Sequence, residues 1–305
     1  MLRIIEEEII TNINVNTKNI ELELVNSLKN EIFYGGYFAA LCSPAFILFT
    51  ANVMDIKVGM PILLIAYLLP LIVYSYDYYS DIEKDINEHS ERAVFLEKKA
   101  NKYPLVLGFY TISLAALLIL FFNFNLVLFI LGLITVGILY NVALKDLTKK
   151  IPIFKNVYTA LTWALGGAFF PVLYYSTGVN SSVLIAFMVI FLRCLNNILF
   201  FDLKDIENDK KEKLKTLPVI LGKKNTINVL HGLNIISFIP LIIGIYMKAI
   251  PLFVLSLTFF GVYSFYYIKK AEKTSGKELE TVSHTLADME FVLWPIILVV
   301  AKFLI

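Results

Sequence analysis

Two stretches of this chain place aspartates at helical spacing beside a long apolar run. In "DYYSDIEKD", Asp77, Asp81 and Asp85 recur every four residues; in "DLKDIEND", Asp202, Asp205 and Asp209 recur at three and four. On a helix each set shares one face. Each set also follows an apolar run, at a helix C-terminus, where the helix dipole disfavours anions. Two carboxylates about 4 Å apart repel by roughly 4 kcal/mol at an effective dielectric of about 20. Carboxylates stacked there favour a bound cation. Hard oxygen donors suit Mg2+, and His89, His231, His284, Cys42 and Cys194 show no spacing for zinc. Mg2+ keeps part of its water and binds through one or two carboxylates plus substrate phosphates. Two such clusters facing each other predict two Mg2+ ions with a diphosphate between them.

Basic and aromatic partners are also present. The segment "LYNVALKDLTKKIPIFKN" brings Tyr140, Lys145 and Asn156 to the edge of two apolar runs. A lysine there can neutralise a diphosphate leaving group, and a tyrosine face can steady a cation. Lys149, Lys150 and Lys155 read as the basic flank that orients a membrane helix. Arg193 lies inside an apolar run, one turn before Asn197, and an ionisable group at such a place is a functional candidate. Asp288 and Glu290 begin the last apolar run and read as interface residues.

These residues must be positioned by membrane helices. The chain has 305 residues, of which 58% are hydrophobic and only 17% charged. Soluble domains run near 45–50% apolar and about 25% charged. Runs of roughly 20 apolar residues predict nine spans, at about 33–54, 59–80, 103–122, 125–144, 156–177, 181–202, 226–246, 250–268 and 286–304. The fold class is therefore an all-α membrane protein. Residues 1–32 form a polar, partly amphipathic lead-in, and 33–305 the helical domain. Of the 27 lysines and arginines, 23 fall in the lead-in and in the loops after even-numbered spans. That bias puts those loops, and both acidic motifs, on the cytoplasmic face of the cell membrane. A net charge of +2 gives no ground for a nucleic-acid partner, and no obligate protein partner is evident.

With nine spans and two acidic motifs on one face, the chain resembles the UbiA superfamily of intramembrane prenyltransferases. The second motif, with the "KTLP" that follows it, is similar to the family's DxxxD stretch, and "LYNVALKDLTKKIPIFKN" to its Tyr-to-Lys stretch. The first departs from the family's NDxxDxxxD. Tyr76 stands in place of the Asn, Ser80 takes the middle position, and "INEHSER" replaces a common Arg-Pro element. The resemblance implies a fold, nine transmembrane helices in one bundle around a central cavity, together with substrates and a mechanism. Two Mg2+ ions on Asp77, Asp81, Asp85, Asp202, Asp205 and Asp209 would bind a polyprenyl diphosphate. Its C1–O bond would ionise to an allylic cation, which a lipophilic acceptor attacks. Lys145, Tyr140 and Arg193 are the expected catalytic residues; Asn197, Lys145, Lys215 and Asn156 are the expected diphosphate contacts.

Two other classes remain open on the residues alone. A cation-coupled transporter would carry charges at the bilayer midplane and broken helices. A phosphatidyl-type transferase using a CDP-lipid would carry a DG…AR…G…D…D pattern, which is not found here.

Overall fold

The computed structural model describes residues 27–28, 30–85, 95–121 and 123–304; for 81–85 and 141 the description covers the backbone alone. Asp81 and Asp85 therefore lie on a described helix, with side chains outside the description. Most of the lead-in, and His89, lie outside the described residues. Every regular element among them is helical, with no strand.

The long elements are α1 (Tyr37–Val53), α2 (Met60–Asp85), α3 (Tyr103–Leu120), α4 (Phe124–Leu139), α5 (Phe154–Tyr174), α6 (Ser181–Phe201), α7 (Leu217–Ile236), α8 (Ile239–Tyr246), α9 (Phe259–Lys273) and α10 (Asp288–Leu304). Six helical stretches are long and apolar enough to cross a membrane: Met60–Ser80, Ala100–Leu120, Phe154–Tyr174, Ser181–Phe201, Leu217–Tyr246 and Leu252–Lys273. Two more apolar helices, Tyr37–Val53 and Phe124–Leu139, are shorter. Their outward faces are apolar too: Leu105, Phe109, Ile112 and Ile119 of α3 are largely exposed. That is the surface a lipid solvent requires, with backbone polar groups satisfied inside each helix.

Element ends differ from the sequence reading where local chemistry intervenes. The fourth apolar run closes in a π-helical segment, Tyr140–Leu144. The seventh begins at Leu217, is kinked at Gly222, which takes φ 75° and ψ 162°, and breaks before Pro240. The eighth opens as a 3-10 segment, Leu252–Thr258.

Helices α1 and α5 are the partition of the bundle. On one side Phe46, Phe49, Phe291 and Trp294 pack edge-on between α1 and α10, over Ala160, Ala164 and Ala168 of α5. On the other, Ile47 and Phe170 join the core of α2, α3 and α4. The alanines recur every four residues, and small side chains at this spacing suit close packing of α5 in the bundle. Gly167 is packed between α1 and α6: a Cβ there would stand 2.7 Å from the Phe46 Cβ and 2.9 Å from the Ile190 Cδ1. This close packing places the first turn of α5 beside the last turn of α6.

Candidate functional site

Asp202 follows the last residue of α6 and is buried. Two donors from the first turn of α5 hold it. Asn156 Nδ2 donates to Oδ2 at 2.6 Å, and Lys155 Nζ to Oδ1 at 3.3 Å. A left-handed residue, Ile153 at φ 53°, starts this turn. The Ile153 N–H donates to the Lys215 carbonyl, and the Lys215 N–H to the Thr148 carbonyl, each at 3.0 Å. These bonds tie the loop before α5 to the segment after the second motif. Thr216, opening α7, leaves its usual capping role and donates to Asp209 Oδ2 at 2.8 Å. Burial pushes the Asp209 carboxyl up to about 6; the Lys155 ammonium opposes this, and Asp202 adds to it. Lys204 Nζ reaches both oxygens of Asp205, at 2.8 and 3.1 Å.

Two cavities meet at this end of the bundle. One, of about 270 Å³, is the more polar of the two and lies among α1, α2, α5, α6 and α10. Asp77 of the first motif and Asp202 and Asp205 of the second line it together, with Lys155, Lys204, Asn197 and Asp288. The other, of about 350 Å³, is mostly apolar and runs between α2, α4 and α5. Asp77, Tyr140 and Lys155 stand at one end of it, and Leu69, Leu133 and Phe170 at the other. Tyr74, Asp77, Lys155, Thr159 and Trp163 line both. A charged compartment thus opens onto a greasy one at a single junction.

The expected site residues divide by position. Asp77, Asp202, Asp205 and Asn197 share the polar cavity, where Asn197 Nδ2 also donates to the Ala287 carbonyl at 3.1 Å. Asn156 stands behind Asp202. Tyr140 lines the apolar cavity and bonds Thr148 at 3.1 Å. Asp209, Lys145 and Lys215 line neither cavity. Lys145 Nζ lies 3.8 Å from Glu212, and Lys215 Nζ donates to the Lys150 carbonyl at 3.2 Å.

Arg193 stands apart from both cavities. It is 1% exposed, and all five of its N–H donors are used. Nε and NH2 bond Glu290, NH1 bonds Asn234 and Ser237, and NH2 also bonds Ser264. Glu290 accepts further bonds from Ser264 and Tyr267. The intramembrane charge is thus a clamp joining α6, α7, α9 and α10, with no N–H directed at a substrate space.

Lysines 155 and 204 and Asp288 are cavity residues that the sequence reading assigned elsewhere or passed over. The sequence suggests an orienting flank for Lys155; its place beside Asn156, in the first turn of a span, is the signal that points into the cavity.

Among the described residues, no three His, Cys, Asp or Glu side chains group closely enough to cage a metal. Asp77 and Asp205 nevertheless offer hard oxygen donors on opposite elements of one polar cavity, with lysines to meet an anion. That donor set fits an Mg2+ ion that completes its shell with water and phosphate.

The long apolar helices, with a cavity lined by charged side chains at one end of the bundle, define an integral, multi-pass helical membrane protein. Comparison with known proteins gives the family. The model of the UbiA prenyltransferase family matches residues 40–286, and the chain belongs to that family of transferases. The digeranylgeranylglyceryl phosphate synthase of Pyrococcus abyssi is 28% identical over 222 residues, covering 70% of this chain and 76% of that protein. The synthase of the same name from Pyrococcus horikoshii is 29% identical over 188 residues, covering 59% of this chain and 64% of that protein. The chain thus spans just under two thirds of that relative. Among solved structures, the apo UbiA homolog of Aeropyrum pernix K1 superposes with a TM-score of 0.65 at 14% identity, over 87% of this chain and 97% of that one. A UbiA homolog of Archaeoglobus fulgidus bound to DMAPP and Mg2+ gives 0.62 at 14% identity, over 89% and 99%. These likenesses show the shared fold.

Proposed function

We propose that this protein transfers a polyprenyl group from its diphosphate to a lipophilic acceptor inside the membrane. The observation that carries the reading is the shared cavity: Asp77 of one motif and Asp202 and Asp205 of the other line it, at the mouth of an apolar cavity. A diphosphate suits the charged compartment and an isoprenoid tail the greasy one. On this reading residues 33–305 form nine spans, and the acidic loops face the cytoplasm of the cell membrane.

Asp77, Asp81, Asp85, Asp202, Asp205 and Asp209 would hold two Mg2+ ions, which would supply Lewis-acid stabilisation of the diphosphate charge. Lys155 stands within reach of the same compartment and neutralises the leaving diphosphate, a role that Lys145 and Lys215 support from the loops beside it. Asn156 holds Asp202 in place, and Asn197 contributes an amide to the cavity wall. Tyr140, Tyr158 and Trp163 present aromatic faces toward the reacting carbon and exclude water from it. The acceptor approaches through the polar cavity beside Asp288. The name of the two Pyrococcus relatives makes a glycerol-phosphate lipid the first acceptor to test.

The test is binding of prenyl diphosphates to purified protein, with Mg2+ and with EDTA, for wild type, Asp77→Ala and Asp205→Ala. Mg2+-dependent binding that both variants lose supports the reading. Binding indifferent to metal and to both aspartates removes it and favours the transporter class.

A further inference from the structure

We infer that Gly166 sets the length of prenyl chain this protein accepts, an inference that rests on the donor reading above. Three glycines line the apolar cavity: Gly137, Gly166 and Gly167. Two of them have a packing reason to lack a side chain. A Cβ on Gly137 would stand 2.8 Å from Val73, and one on Gly167 would stand 2.7 Å from Phe46 and 2.9 Å from Ile190. Gly166 has no such reason. A Cβ there meets only Leu133 Cδ1, at 3.6 Å, an ordinary contact. Its backbone is helical, in the interior of α5, where glycine costs about 1 kcal/mol relative to alanine. A residue that is unfavourable for the helix and unnecessary for packing leaves one physical effect, which is open space in the cavity.

The depth of Gly166 gives that space a length. Lys155, beside the diphosphate compartment, and Gly166 line the same cavity from α5, eleven residues apart. Eleven residues rise about 16 Å along a helix. Three backbone bonds of an extended peptide span about 3.3–3.6 Å, so the four main-chain bonds of an isoprene unit span about 4.5–5 Å. Three units therefore fit before Gly166 and the fourth lies against it. Chains of two units end well short of this level. Phe170, one turn further and 1% exposed, also lines the cavity.

The experiment measures Mg2+-dependent binding of two-isoprene and four-isoprene diphosphates to wild type, Gly166→Ala and Gly166→Leu. Wild type binds both. Gly166→Leu keeps the two-unit affinity and weakens the four-unit affinity by about tenfold or more, with Gly166→Ala shifted the same way by less. Retained two-unit binding also shows that the leucine variant is folded; where it does not fold, the alanine variant decides the matter by the direction of its shift. Wild-type binding of both probes with an unchanged length preference in the variants overturns this inference alone. A wild type that binds neither probe with Mg2+ overturns the donor reading and this inference with it.

Discussion

The Lys155 ammonium lies 3.3 Å from the Asp202 carboxylate, at the junction where a polar and an apolar cavity meet. Lys155 sits in the first turn of α5 and Asp202 just past the end of α6, and the close packing of these two consecutive helices at Gly167 and Ile190 brings them together. The pair gives the cavity one cation that faces both compartments.

Lys155→Met is expected to lower prenyl transfer by about 10²-fold, the size seen when one preorganised donor to a developing anion is removed. Donor affinity should fall as well, because the same charge meets the diphosphate before reaction. Single-turnover rates and donor titrations on the same preparation separate the two effects. Wild-type rate and affinity in the variant would remove Lys155 from the mechanism.

Arg193 and Glu290 are each 1% exposed, and their ion pair crosses the bundle. Arg193→Met leaves Glu290 charged and buried, which costs about 3–5 kcal/mol. The double variant Arg193→Met/Glu290→Met should recover most of that loss, since a well-packed apolar pair often replaces a buried ion pair at little cost. Thermal melting in one detergent reads both. A single variant as stable as the wild type would mean that the clamp does not hold α10.

Asp209 carries a pH dependence whose sign follows from its carboxyl being held at about 6 in the fold against an ordinary 3.8. Between those values the folded chain binds the proton that the unfolded chain has released. Stability from this group is therefore greatest below about pH 4 and is lost as pH rises through 6. Asp209→Asn should then melt higher than wild type at pH 7.5 in EDTA, and the difference should vanish near pH 4. Equal melting at both pH values would show that the carboxyl is not penalised by its burial.

Adjacent glycines on α5 should behave differently on gaining one methyl group. Gly167→Ala drives a Cβ to 2.7 Å from Phe46, and overpacking of this kind costs about 1–3 kcal/mol. Gly166→Ala meets only an ordinary contact, so its stability should match or exceed the wild type, by up to about 1 kcal/mol. Melting curves of the two variants side by side check the contrast.

Much of this molecule was legible in order along the chain. Membrane class follows from composition and run length, because a lipid solvent demands uniform apolar stretches that no tertiary contact can replace. The places of Asp202 just past α6 and of Asp77 near the end of α2 follow from the same runs, whereas the turn after Phe201 sets Asp205 at the start of a separate short helix, Ile206–Lys211, and Asp209 within it, and not on one face with Asp202. The motif spacing and the "KTLP" stretch were enough for the family resemblance. Helix ends were less legible: the break before Pro240 and the kink at Gly222 depend on local backbone geometry that hydropathy averages away.

Roles that depend on a partner were decided only by the fold. Arg193 had the marks of a functional charge, yet its five donors find Glu290, Asn234, Ser237 and Ser264 across three other helices. Lys155 had the marks of a flank, yet α5 meets α6 so closely that its ammonium reaches Asp202. Hydropathy and periodicity tell which face of a helix is apolar, since they are properties of one segment. Which charge meets which depends on the crossing of two helices and on the small residues that let them touch, and no single segment contains that information.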